Sequence, residues 1–246
     1  MRKKNTKFQN PRVWDYIALN AENRIEAGGW YNSFGGEPFS EKEMEQYVSN
    51  TVEKLKLYLT KNTAVAEIGC ASGLTMFAIA PLVKSYIGTD MAKINLQKSM
   101  DRIRKENISN IDLHQCSADK IGDVISEKVD IIIINSVCQY FPDMEYFEKV
   151  LQETFKLLEG GGILYLGDLL DLDLLKAFER ELTEYQIQHQ EKKIKTDRSD
   201  ELWISRSYFN KLHDNRRVKE IIISDKLAVI ENELTKYRYD AVIHVC

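Results

Sequence analysis

The chain has 246 residues, 43% of them apolar and 29% charged, with a formal net charge of −4. That supplies enough apolar material for one large domain or two small ones, and the acidic balance carries no nucleic-acid footprint. The four cysteines, Cys70, Cys116, Cys138 and Cys246, form no C-x-x-C pair, which argues for core thiols and against a zinc site or disulfide framework.

The opening stretch, MRKKNTKFQNPRVWDY, is charged and lacks the apolar run of a secretory signal. Trp30 and Tyr31 follow in a glycine-rich entry segment, which either closes over a ligand or forms a plain surface loop. Residues 39–59 carry a capping box in Ser40 and Glu43, a staple pair in Phe39 and Met44, and an apolar stripe at helical spacing. They predict a helix. TAVAEIG then predicts a strand and CASGLTMFAIAP a helix stopped by Pro81. VKSYIGTD, AKINLQKSMDRIRKEN and NIDLHQC read as strand, amphipathic helix and strand. The isoleucine run of KVDIIIINS predicts a strand buried on both faces, as in a parallel sheet. It is too short to cross a bilayer, and a soluble, cytoplasmic protein is expected. MEYFEKVLQETFKLLEGGG predicts a helix with Gly160 as its stop, and GILYLGD a fifth strand. LDLLKAFERELTEYQIQHQEKKIK reads as one long helical stretch, followed by a polar segment dotted with aromatics. VKEIIIS and YRYDAVIHV read as closing strands in an antiparallel hairpin at a sheet edge. Strand and helix alternate from residue 63 to 168, the pattern of a doubly wound α/β sheet.

In such sheets ligands bind beyond the carboxyl ends of the strands. The segment after the first strand, AEIGCASGLT, is therefore the first candidate. A P-loop needs Gly-Lys-Ser/Thr at its end, and here Gly73 is followed by Leu74 and Thr75. A dinucleotide fingerprint needs a third glycine where Leu74 stands. The remaining pattern is G-x-G-x-G with Ala71 in the middle slot, between Gly69 and Gly73, with Glu67 two positions ahead. This resembles motif I of class I S-adenosylmethionine-dependent methyltransferases. Small residues there let backbone pass close under a cofactor.

The resemblance implies an S-adenosyl-L-methionine site. Asp90, closing the second strand, would accept the ribose hydroxyls, its alternative being a helix N-cap. Asp119 would meet the adenine amino group, its alternative being an ordinary turn residue. Met91, Ala118, Asn135 and Ser136 complete the expected cofactor set with Glu67, Gly69, Ala71, Gly73, Trp30 and Tyr31. Glu67 either touches the methionine amine or ties down the loop. Cys70, with no histidine or resolving cysteine beside it, is expected to be a bystander. No metal is expected.

Further along, GEPFSEKEMEQYVSNTVEKLK, INSVCQYFP, YLGD with LDLLKAF, and NELTKYRYDAVIHV stand in order. Over roughly residues 30–246 the chain resembles the methyltransferase domains embedded in nonribosomal peptide synthetases, most of which methylate an amino-acid nitrogen. One departure is Leu170, where that family usually carries arginine two residues after the aspartate of GD. The resemblance implies a mostly parallel, seven-stranded, Rossmann-like sheet. Residues 1–60 would form a helical lid and entry segment, residues 61–246 the core, with a helical insertion at about 170–215. It implies transfer of a methyl group to an amine of an amino-acid-like or peptide-like metabolite, as a small molecule or on a carrier protein, with no nucleic-acid or membrane partner. A hydroxyl or carboxylate acceptor, and a cofactor-binding scaffold without activity, are the alternatives. Tyr140, Gln139 and Asp168 are the catalytic candidates. Gln139 and Asn135 would position an amide or carbonyl, Tyr140 would bound the pocket or pack in the core, and Asp168 would accept a proton or orient an amine. Asn232 and Glu233 are candidates for the rim. His114, His189, His213 and His244 have neither triad nor metal spacing.

Overall fold

The computed structural model describes residues 7–227 and 229–246. The first six residues of the charged opening stretch lie outside the described residues, as does that part of the expected lid. In chain order the elements are α1 (Pro11–Asn20), α2 (Arg24–Ala27), α3 (Glu41–Leu55), β1 (Ala64–Ile68), α4 (Leu74–Ile79), β2 (Ser85–Asp90), α5 (Lys93–Lys105) and β3 (Ile111–Gln115). They continue with α6 (Ile121–Val124), β4 (Ile131–Asn135), α7 (Met144–Leu157), β5 (Gly162–Leu170), α8 (Leu175–Gln188), α9 (Tyr208–Leu212), β6 (Val218–Asp225), α10 (Glu233–Lys236) and β7 (Arg238–Val245).

The strands form one seven-stranded sheet in the order β3-β2-β1-β4-β5-β7-β6. β1 to β5 run parallel, β7 is antiparallel to β5, and β6 is antiparallel to β7. The order reverses between β1 and β4, so their carboxyl ends open a crevice on one side of the molecule. β4 sits at the centre because Ile131, Ile132, Ile133 and Ile134 are each at most 1% exposed. Alternation sends Ile132 and Ile134 to one face, against Phe147, Val150, Leu151 and Phe155 of α7. Ile131 and Ile133 face the other side, against Leu55 of α3 and Met76 and Ile79 of α4. Among the described residues no helix is long and apolar enough to cross a membrane.

Local signals explain most boundaries. The capping box of Ser40 and Glu43 forms as expected, and Phe39 and Met44 are buried in one cluster. Two short helices unmarked in the sequence reading precede it. Asn10 caps α1 with Pro11 at the first helical position, and Asn23 caps α2. The helix after β1 begins at Leu74 rather than Cys70, because Gly69, Ala71 and Gly73 all have left-handed backbones. The long helical stretch also stops early, at Gln188. The Gln186 amide donates to the Lys192 carbonyl at 2.7 Å and accepts from the Ile194 N–H at 2.7 Å, folding the chain back. The closing hairpin is antiparallel, but only β6 is at the edge. β7 lies between β6 and β5, which carries Arg238 and Asp240 into the interior.

Ile133→Ala should cost about 2–5 kcal/mol, since the site is enclosed by strands and helices and cannot collapse. A urea midpoint equal to that of the parent protein would contradict this placement.

Candidate active site

The crevice at the carboxyl ends of the parallel strands holds a cleft with ≈ 750 Å³ of empty space, its open mouth included. Its floor is the turn after β1. Gly69 and Cys70 both donate their backbone N–H to the Thr89 carbonyl, at 2.7 and 2.9 Å, which pins the turn to the next strand. Gly69 has φ +77°, and a Cβ there would lie 2.4 Å from a methyl of Val137. Glycine is therefore required both by backbone and by space. Ala71 holds φ 44° in the middle slot, where its N–H bonds the Asp90 carboxylate at 2.8 Å. Gly73 does not line the cleft. A Cβ there would meet the Phe77 ring at 2.6 Å, so its role is to seat α4.

Asp90 stands at the end of β2, in the cleft wall, 8% exposed. One carboxylate oxygen accepts from Ala71 and the other from the Ala92 N–H at 2.7 Å. Asp90 is thus a turn and helix-start anchor, and each oxygen keeps lone-pair capacity for a second donor. Beyond it, Met91, Cys116, Ala118, Phe141 and Tyr146 wall a mainly apolar slot. Asn95, 2% exposed, also lines the cleft and leaves its side-chain oxygen without a partner. The residues present fit a nucleoside-bearing group.

The mouth is closed by a segment that sequence reasoning did not resolve. Phe8, Gln9 and Trp14 all line the cleft. The Phe8 and Trp14 rings meet Tyr140 at centroid distances of 5.0 and 4.8 Å, and Gln9 donates to the Tyr140 carbonyl at 2.8 Å. The lid is fastened to α5. The Ile94 N–H bonds Asp15 at 2.9 Å, the Asn95 amide bonds the Ala27 carbonyl at 3.0 Å, and Lys98 bonds the Ala18 carbonyl at 2.6 Å. The available signal was local: Asn10 before Pro11 marks a helix start, and its one buried face carries Trp14 over the site. Trp30 lines the cleft and packs on Tyr47 at 4.5 Å. Tyr31 is 43% exposed and does not line it, which corrects its expected cofactor role.

At the other end, Asn135, Ser136 and Tyr140 line the cleft. The Asn135 amide donates to Thr51 at 2.9 Å. Its oxygen faces Gly167, where an added Cβ would approach to 2.2 Å, so a side chain at 167 would displace it. Gln139 and Asp168 stand behind this wall. The Gln139 side-chain amide donates to the Ser136 carbonyl at 2.9 Å, and its backbone carbonyl receives the Leu202 N–H at 3.0 Å. Asp168 is fully buried; its carboxylate accepts from Ser136 and Arg238, with Lys226 3.2 Å away. Burial pushes its carboxyl up, but Arg238, then Lys226, then the Ser136 bond hold it below the ordinary carboxylate range. A proton-accepting Asp168 is therefore disfavoured.

Other expected residues serve the frame. Asp119 turns out of the cleft to take Ser117 at 2.7 Å, Tyr146 at 2.9 Å and Lys149 at 2.6 Å. Burial opposes ionisation, but these bonds prevail and lower its pKa. Its neighbour Ala118 is the lining residue. Asn232 caps α10 and bonds Glu43 at 2.9 Å. Glu233 receives the Ser33 N–H at 2.7 Å and its hydroxyl at 2.9 Å. Both tie the entry segment down and neither lines the cleft. Cys70 is buried and absent from the cleft wall, and burial pushes its thiol well above the usual range, as expected of a core thiol. Among the described residues no cluster of His, Cys, Asp or Glu could hold a metal.

Residues 59–226 match a family described as methyltransferase domain. Chondramide synthase cmdD of Chondromyces crocatus is 31% identical over 232 residues, covering 88% of this chain and 6% of the synthase. A probable non-canonical nonribosomal peptide synthetase, CymA, of Salinispora arenicola is 29% identical over 88% of this chain and 3% of its own length. The chain thus spans a small fraction of these relatives. Among solved structures, the N-methyltransferase NodS from Bradyrhizobium japonicum, in complex with S-adenosyl-L-homocysteine, superposes with a TM-score of 0.60 at 14% identity. It covers 95% of this chain and 97% of its own. Magnesium protoporphyrin IX methyltransferase from Synechocystis, with the same bound molecule, gives 0.59 at 11% identity over 98% of this chain and 96% of its own. At these identities the likeness is one of fold.

Glu67, under the floor, is 3% exposed and accepts the Tyr86 hydroxyl at 2.8 Å. Burial raises its pKa to about 7, with the Tyr86 bond pulling the other way. The folded state therefore favours the neutral acid, whereas an unfolded glutamate ionises near pH ~4.3. The matching stability is fully present below that value and is lost as pH rises through about 7. In the ligand-free protein Glu67→Gln should flatten the melting curve between pH 5 and 8 and stabilise at pH 8 by on the order of 2–4 kcal/mol. Parallel melting profiles for the two proteins would contradict this.

Proposed function

The chain belongs to the methyltransferase family matched over residues 59–226, and from that premise we propose that it transfers a methyl group from S-adenosyl-L-methionine to an amine nitrogen of a small amino-acid-like or peptide-like metabolite. The observation that carries this reading is the cleft itself. One end joins Asp90 to an apolar slot, and the other is walled by Asn135, Ser136 and Tyr140 of the NSVCQYFP stretch. Peptide synthetases are the relatives aligned with 88% of the chain, which supports a natural-product acceptor. We extend the proposal to an acceptor presented free or on a carrier protein.

When bound, S-adenosylmethionine supplies an electrophilic methyl on a sulfonium. The protein's part is to hold, orient and exclude water. Asp90 would take the ribose hydroxyls, and the wall of Ala118, Phe141 and Tyr146 the adenine. The bare floor at Gly69 leaves room for the methionine portion. Asn95, with its unpartnered oxygen, is a further polar contact. The Phe8, Trp14 and Tyr140 cluster closes the mouth and keeps the cleft dry, which favours a step that cancels positive charge. An amine acceptor must arrive as the free base.

Calorimetry with S-adenosylmethionine and S-adenosylhomocysteine should show binding of both. Asp90→Ala should weaken it by about 1.5–3 kcal/mol, the worth of hydrogen bonds to a charged group. No heat and no thermal shift at millimolar ligand would sink the donor assignment. The acceptor is tested by a screen of amino-acid esters with a deuterated methyl donor, followed by fragmentation. The label should lie on nitrogen, and the rate should rise with pH through the acceptor's own pKa and then level. A label on oxygen would remove the amine assignment.

A further inference from the structure

Ser136 directly follows β4 and Asp168 sits in the register irregularity of neighbouring β5, both with left-handed backbones, φ 57° and 62°. Such conformations in residues other than glycine persist only where the surroundings dictate them. Here a buried charge system does so. The Asp168 N–H donates to the Asp240 carboxylate at 2.7 Å. Asp240 in turn holds Lys226 at 3.0 Å, Lys54 at 2.5 Å and the Asn50 amide at 2.9 Å. The groups facing Asp168 are Arg238 and Asp240 from β7, Lys226 from the segment after β6, Tyr47 from α3, and the Ser136 hydroxyl. Lys226 is 2% exposed, and it touches both aspartates.

The consequence reaches the cleft through one hydrogen. A serine hydroxyl has one hydrogen and two lone pairs. Ser136 gives its hydrogen to Asp168. The hydroxyl oxygen keeps its accepting capacity, on a residue that lines the cleft beside Tyr140. The wall at that point is therefore a hydrogen-bond acceptor and not a donor.

We propose that Ser136 positions the methyl-receiving amine by accepting its N–H, and that Lys226 and Asp240 act through Asp168 to keep the hydroxyl hydrogen turned away from the cleft. The proposal rests on the amine reading above. It moves Ser136 from the cofactor set to the acceptor side and makes Asp168 a positioning residue. It also selects substrates. A primary or secondary amine has a hydrogen to offer and a lone pair left free, whereas a tertiary amine has no hydrogen to give.

Asp168→Asn tests the polarity with almost no change of shape. At the oxygen that takes both Ser136 and Arg238 the amide offers a neutral, weaker acceptor than the carboxylate, so the hold on the hydroxyl hydrogen is loosened. The probe is glycine ethyl ester, titrated calorimetrically above the pKa of its amine, into protein with and without saturating S-adenosylhomocysteine. The wild type should bind it, and Ser136→Ala and Asp168→Asn should bind it roughly tenfold or more weakly. Their affinity for S-adenosylhomocysteine should be unchanged. Lys226→Met should weaken the ester in the same way; if it does not fold, Asp168→Asn decides alone. Absent ester binding in the wild type, or equal binding in Asp168→Asn, overturns the proposal. So does a loss of S-adenosylhomocysteine affinity in Ser136→Ala, which would make Ser136 a cofactor contact. A wild type that binds the ester but not S-adenosylhomocysteine would defeat the donor reading and leave this one standing.

Discussion

Three cations and three carboxylates are sealed together at the junction of α3, β5 and β7: Lys54, Lys226 and Arg238 with Asp168, Asp240 and Glu233. Removing such groups from water costs several kcal/mol per ion, and their mutual attraction rarely returns more than that. Their stabilising worth is thus small, and their effect is to fix an arrangement. Asp240 binds α3 to the sheet through Lys54, and its oxygen also holds the backbone of Asp168. Asp168 in turn sets the hydroxyl of Ser136. Glu233 draws the entry segment in through Ser33. Burial pushes Asp240 toward the neutral form, yet Lys226 and Lys54 prevail and hold its pKa at about 2. Asp240 therefore stays charged throughout the neutral range.

This arrangement depends on the antiparallel insertion of β7. A parallel strand beside β5 would begin, not end, at the opposite edge of the sheet. Running back, β7 starts at the active edge, and its first residues, Arg238 and Asp240, lie beside the end of β5. Arg238 is the register partner of Leu170. Leu170 is 4% exposed and packs with Leu175, Phe178, Leu182, Trp203 and Tyr237. The insertion between β5 and β6 thus builds its own apolar cluster on that position, while Arg238 supplies the guanidinium next to it.

The opposite side of the cleft is built on different physics. Aromatic contacts of Phe8 and Trp14 with Tyr140 close the mouth, and three polar bonds fasten the lid to α5. The cleft is thus walled by a buried ion system at the strand ends and bordered by aromatic and backbone contacts at its mouth.

The sequence alone determined the elements whose signals are local. The isoleucine run of β4, the capping box of α3 and the glycine turn after β1 each carry their own steric or hydrogen-bonding requirement, so neighbours a few residues apart were enough. Asp90 was legible for the same reason, as the acid closing a strand beside that turn. Helix α1 was half legible: Asn10 and Pro11 start it, but nothing local says where Trp14 will lie. The directions of Asp119 and Tyr31 were not legible, because where a side chain in a connecting segment points depends on packing from other elements. The charge system was invisible. Lys54, Lys226, Arg238 and Asp240 look like surface residues in sequence, since a charge is normally solvated. Only the pairing of β7 with β5, joined by the reach of Asn50 in α3 to Asp240 across 190 positions, brings them under one wall and decides which way the hydrogen of Ser136 points.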